Sequence, residues 1–174
     1  MKKKSIISKC SFLVLIGLFV SIVSHPLLHE LGQIITTVLV GGRVKQITLF
    51  PQPSVLCDLT EINNNKRVII GLSGEILPVI FAVAYTPKRF GLWYANLLMR
   101  LISVYSLCLD YVYTILFFVG LPVANTDITD ILSIDRGNLY FVVVLNTLFL
   151  FFLCVSLKKT NPIPTSLKYF YSEN

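Results

Sequence analysis

His29, Glu30 and Gln33 lie together in the five-residue segment His29-Glu30-Leu31-Gly32-Gln33. In segments of the form H-E-x-x-H, two histidines one helical turn apart bind zinc and the glutamate acts as the general base in hydrolysis. Here Gln33 occupies the position of the second histidine. Because an amide oxygen is a neutral and harder donor than imidazole, we expect a weaker zinc site than two histidines would make. The segment predicts metal-dependent hydrolysis or an inactive derivative of it.

Other ionisable residues occur in apolar surroundings, where burying a charge is costly and a functional role is the first hypothesis. His25 precedes His29 by four residues, so both share one face if the helix extends that far. It is therefore an alternative metal ligand. Glu75 follows Ser73 and Gly74, where helices can approach closely. It is either a packing residue or a partner that orients a metal ligand.

The composition predicts an integral membrane protein. The 174 residues are 55% hydrophobic and 14% charged, with a mean hydropathy of +0.75, whereas soluble domains carry about 25% charged residues. The lysines and arginines flank the apolar runs, which is a pattern for a lipid bilayer and argues against nucleic acid as a partner. The four cysteines are widely spaced, which predicts neither a disulfide framework nor a cysteine zinc site.

The apolar runs predict an all-α polytopic fold in a single membrane domain, with about four transmembrane helices. The predicted spans are residues 11–40, 68–85, 92–121 and 139–157, and residues 158–174 form a polar tail. The first run, with its basic start, is also compatible with a cleaved leader, but its continuation past Pro26 favours a long tilted or kinked span. The third run is either one helix or two.

A short β-hairpin-like insertion is expected at about residues 43–59, after Gly41 and Gly42 end the first helix. Four spans put both chain ends on one side. That side carries nine basic residues and the other carries five, which favours a cytoplasmic N-terminus. In this topology the His29 end of the first span and the Asp127 loop face the same side and could meet.

Taken together, four segments resemble the site-2 protease family of membrane zinc metallopeptidases, and most closely its small bacterial branch. The first two are His29-Glu30-Leu31-Gly32-Gln33 and Gly41-Gly42-Arg43-Val44, followed by a short strand that ends at Phe50-Pro51. The other two are Gly71-Leu72-Ser73-Gly74-Glu75-Ile76-Leu77-Pro78 and Thr126-Asp127-Ile128-Thr129-Asp130-Ile131-Leu132. The similarity covers roughly residues 12–155. It is fairly specific in the first segment and loose in the others.

The resemblance implies a zinc peptidase of the bacterial cytoplasmic membrane that acts on membrane proteins or peptides. His29 would bind the metal, Glu30 would be catalytic and Asp127 would be the third ligand. Asp110, in a Leu109-Asp110 step within a span, is the alternative third ligand. Gln33 is either a weak ligand or the reason that the site is empty.

Two other functions remain open at this stage. One is a catalytically inactive homologue that binds a membrane partner or regulates it. The other, a small transporter, would also use intramembrane Glu75 and Asp110, but no inverted repeat is visible in the sequence. The expected strand from Arg43 to Phe50 could offer its edge to an extended substrate.

Overall fold

The computed structural model describes residues 2–51, 53–123, 126–160 and 162–171. The chain begins with one helical path made of α1 (Lys2–Phe19), a π-helical turn (Val20–Ser24) and α2 (His25–Leu39). The π turn directly precedes Pro26, which therefore enters in the first turn of α2. The wider i→i−5 pairing of the π turn, in which the His25 N–H bonds to the Val20 carbonyl, accommodates a proline inside this continuous helical path.

A two-stranded antiparallel hairpin follows α2, as the sequence predicts. Strand β1 (Arg43–Thr48) pairs with β2 (Ser54–Asp58). Outside the membrane-spanning helices, the Thr60 hydroxyl donates to Asp58 Oδ1 at 2.8 Å and Lys45 Nζ lies 3.1 Å from Asp58 Oδ2. These contacts hold the pKa of Asp58 at about 2 and fix the open end of the hairpin.

The rest of the chain is helical. The helices are α3 (Asn64–Ala84), α4 (Phe90–Val119), α5 (Asp127–Ile134), α6 (Leu139–Lys159) and α7 (Pro162–Tyr171), with a 3-10 turn (Arg136–Asn138) before α6. The third apolar run is thus a single helix. The tail that was predicted only as polar contains α7, whose Tyr169 ring stacks on Phe90 with centroids 3.6 Å apart.

Four helical segments are long and apolar enough to cross a membrane: Ile6–Leu39, Asn64–Ala84, Phe90–Val119 and Arg136–Lys159. This confirms the predicted all-α polytopic fold. Short helix α5 lies between the last two of these segments. It docks through a buried cluster made of Val68, Leu72, Ile128, Ile131, Leu132 and Val142.

Helices α2 and α3 cross next to the predicted site, and their backbones come very close there. A Cβ at Gly32 would collide with the backbone oxygen of Ser73, so the two backbones touch at this point. The Ser73 hydroxyl also donates to the Gly32 carbonyl at 3.1 Å. Small residues at such crossings allow close packing between membrane helices, and here they bring the His29 face of α2 against α3.

Candidate functional site

His29 and Gln33 project from α2 on one face because they are four residues apart. Their polar atoms come close, with Gln33 Nε2 3.2 Å from His29 Nε2. Gly74 of α3 makes room for the imidazole, since a Cβ there would collide with His29 Cε1 and Nε2. His29 and Gln33 are therefore neighbours in space as the sequence predicts, and the position of His29 depends on the absence of a side chain at residue 74.

Asp127 completes a cluster with these two residues. It is the first residue of α5, whose start is fixed by a capping box in which Thr126 accepts from the Thr129 amide. Asp127 Oδ2 lies 3.0 Å from His29 Nε2 and accepts a hydrogen bond of 2.7 Å from Gln33 Nε2. Side chains from α2 and α5 thus converge although they are far apart in sequence.

The three side chains lie close enough together that a small outward movement and a turn of the Gln33 amide would let them hold one zinc ion. Bonds of about 2.0–2.1 Å in a tetrahedral site place neighbouring ligand atoms about 3.3 Å apart. The corresponding distances among His29, Gln33 and Asp127 are 2.7, 3.0 and 3.2 Å. Half a turn of the Gln33 amide brings its oxygen, a metal ligand, to the place of its nitrogen. Among the described residues no three His, Cys, Asp or Glu side chains form a metal cluster. The triangle contains only two residues of these types, His29 and Asp127, and its third member is Gln33.

Glu75 lies on the far side of the His29 ring. Its Oε1 is 3.4 Å from His29 Nδ1 and accepts a hydrogen bond of 2.8 Å from the Ser106 hydroxyl of α4. A carboxylate on the remote nitrogen fixes the orientation of a metal-binding histidine and increases its basicity. This geometry favours an orienting role for Glu75, the second of the two hypotheses raised by the sequence.

Glu30 shares a cavity of about 450 Å³ with His29 and Asp127. The Val55 backbone of β2 lies beside its carboxylate. In the hairpin, Pro53 lines this cavity. Val55, Leu56 and Cys57 line a neighbouring groove beside Gln33. The strand next to Glu30 is therefore β2, whereas the sequence had suggested the Arg43–Phe50 strand as the edge facing a substrate.

His25 and Asp110, the two alternative ligands, line the same cavity but make no hydrogen bond to His29 or Gln33 within the described part of the chain. Asp110 Oδ2 instead accepts a hydrogen bond of 3.1 Å from Asn146. His25 is 7% exposed, and its Nε2 has no hydrogen-bond partner among the described residues. Of the two aspartates, Asp127 is the one in contact with His29.

Ser106 and Asn146 were not recognised as site residues in the sequence. Each is a single polar residue in a long apolar helix, and such residues often serve only packing. The polar residue Arg100 lies elsewhere, fully buried, and donates to the carbonyls of Ala82 at 2.8 Å and Ser156 at 3.3 Å.

Comparisons with protein-family models, with curated proteins and with solved structures find no match for the chain.

Proposed function

We propose that this protein is a membrane-embedded, zinc-dependent peptidase of the site-2 protease type. The observation that carries the proposal is the convergence of His29, Gln33 and Asp127 within 3.2 Å of one another, with His29 and Asp127 lining one cavity together with Glu30. Polar and ionisable residues that meet inside a membrane bundle are a functional-site hypothesis by default.

In this proposal His29, Asp127 and Gln33 hold zinc, which supplies Lewis-acid polarisation of the peptide carbonyl and of the attacking water. Glu30 accepts a proton from the water as its oxygen bonds to the carbonyl carbon, and transfers that proton to the departing amine when the C–N bond breaks. Glu75 holds the His29 ring from behind.

The substrate in this proposal is a membrane protein or peptide that is extended at the cleavage point. Strand β2 borders the groove beside Gln33 and Asp127. A substrate strand lying along β2 would bring its backbone to these side chains, and main-chain hydrogen bonds would bind it without a fixed sequence.

Lys9 Nζ donates to the Tyr169 carbonyl at 3.0 Å, so both ends of the chain lie at one end of the bundle. With the charge bias, this supports a cytoplasmic location for both ends.

The test uses the full chain in lipid nanodiscs with zinc supplied, and pools of internally quenched peptides. We expect wild type to cleave and Glu30→Gln to lose at least about 100-fold in rate, the scale of a general base. Glu61→Gln removes an exposed carboxylate away from the cavity and should cleave like wild type. Equal rates for wild type and Glu30→Gln would refute the proposed mechanism.

A second function, an inactive homologue that binds a membrane partner, is favoured by one specific contact. The Gln33 amide donates to Asp127 at 2.7 Å, and His29 is flanked by Asp127 and Glu75, so these groups satisfy each other without a metal. This alternative predicts no zinc in the purified chain. Elemental analysis separates the two, since the peptidase should hold about one zinc per chain that His29→Ala loses.

A further inference from the structure

The cavity extends beyond the three proposed zinc ligands into a polar recess. We call this recess the inner pocket and define it by His25, Glu75, Ser106, Asp110 and Asn146. The proposed chemistry uses Glu75 only to orient His29 and makes no use of His25 or Asp110. The inner pocket therefore carries charged groups that the reaction itself leaves unexplained.

Two buried atoms of the inner pocket have no hydrogen-bond partner among the described residues: His25 Nε2 and Glu75 Oε2. Both residues are more than nine-tenths buried, with 7% and 8% of their surface exposed. Leaving a buried polar atom unpaired is costly, and such atoms are usually satisfied by a ligand or ordered water. The inner pocket therefore suits a ligand that carries several hydrogen-bond donors.

The charge of the cavity lining indicates which kind of donor group the inner pocket binds. Its lining includes the carboxyl groups of Glu30, Glu75, Asp110 and Asp127, but only two imidazoles. When ionised, these four carboxylates carry more charge than a Zn²⁺ ion beside neutral imidazoles offsets, and a positively charged ligand compensates the excess. A volume of about 450 Å³ suits a group of several atoms.

We propose that the inner pocket binds a lysine or arginine side chain of the substrate next to the cleaved bond. This rests on the proposed peptidase function and adds a substrate class to it. The ammonium or guanidinium group donates to Glu75 Oε2 and to Asp110, whose Oδ2 is held by the Asn146 amide. The aliphatic part of the side chain passes Leu109, which also lines the cavity.

The test measures binding separately from cleavage. Full-length Glu30→Gln in nanodiscs is titrated with fluorescent peptide pools that are random except for one fixed position. That position is lysine, its uncharged isostere norleucine, or glutamate. We expect the lysine pool to bind at least tenfold tighter than the norleucine pool, and the glutamate pool to bind weakest. Asp110→Asn should reduce the ratio of lysine to norleucine binding to threefold or less, and Glu61→Gln should keep it.

Equal binding of the lysine and norleucine pools would overturn the proposal, and would mean that the recess holds only water. An unchanged ratio in Asp110→Asn would overturn the role of that residue. The Glu30→Gln peptide series decides the first point even if Asp110→Asn does not fold. Failure of the peptidase proposal is seen separately, as equal cleavage by wild type and Glu30→Gln.

Discussion

Replacing Gly74 with alanine should displace the His29 ring, although Gly74 contributes no side chain to the candidate site. The new Cβ would lie 2.5 Å from His29 Nε2 and 2.9 Å from Cδ2. Ordinary van der Waals contact begins at 3.4 Å, so the ring must move by about 0.9 Å or α2 and α3 must separate. The neighbouring contact between Ser73 and Gly32 leaves the helices little freedom to adjust.

A displacement of this size is large for the site. The His29 nitrogen lies 3.0 Å from Asp127 Oδ2 and 3.2 Å from Gln33 Nε2, so it would leave hydrogen-bond range of one or both. We expect Gly74→Ala to weaken zinc binding at least tenfold and to destabilise the folded chain by about 1–3 kcal/mol, the usual cost of overpacking.

The assay combines zinc competition against a chelator with thermal unfolding in detergent. Gly17→Ala is the matched control, because a Cβ there meets only Leu98 Cδ1 at an ordinary 3.7 Å. It should bind zinc like wild type and be no less stable. If Gly74→Ala matched Gly17→Ala in both measurements, the argument that residue 74 positions His29 would be wrong.

Three further predictions concern individual side chains. Gln33→His restores two imidazoles and should raise zinc affinity by about tenfold or more in the same competition assay; unchanged affinity would mean that residue 33 is not a ligand. Asp127→Ala should lose zinc whereas Asp110→Asn retains it, and elemental analysis showing the reverse would identify Asp110 as the ligand. Thr60→Val should raise the pKa of Asp58 from about 2 towards 3.8, as followed by NMR titration. Since the folded value is the lower one, this carboxylate stabilises the hairpin fully above about pH 4 and that contribution is lost as the pH falls through about 2. An Asp58 titration unaffected by the substitution would contradict this assignment.

The four spans and the hairpin were predictable because each depends on local sequence. Apolar runs of bilayer length become helices in a membrane, and Gly41, which adopts a φ of +92°, ends α2 before the hairpin. Whether the third run was one helix or two could not be decided. A break would have let Arg100 pair with Asp110, but buried Arg100 is satisfied by carbonyls of α3 and α6 instead.

Half of the candidate site was also predictable. Helical spacing alone puts His29 and Gln33 on one face. The choice between Asp110 and Asp127 depends on where α5 docks, and this is set by packing of Ile131 against Gly71 rather than by any local pattern. The preference for Asp127 came from resemblance. The orienting contact of Ser106 with Glu75 joins two helices and left no signal in the sequence.

The contact between His29 and Asp127 joins residues that are 98 positions apart. During synthesis the first residue enters the membrane long before the second has been translated, and α3 and α4 must be inserted between them. The arrangement of His29, Gln33 and Asp127 cannot exist in any shorter nascent chain. A chain in the course of insertion therefore lacks the complete cluster until α5 has docked.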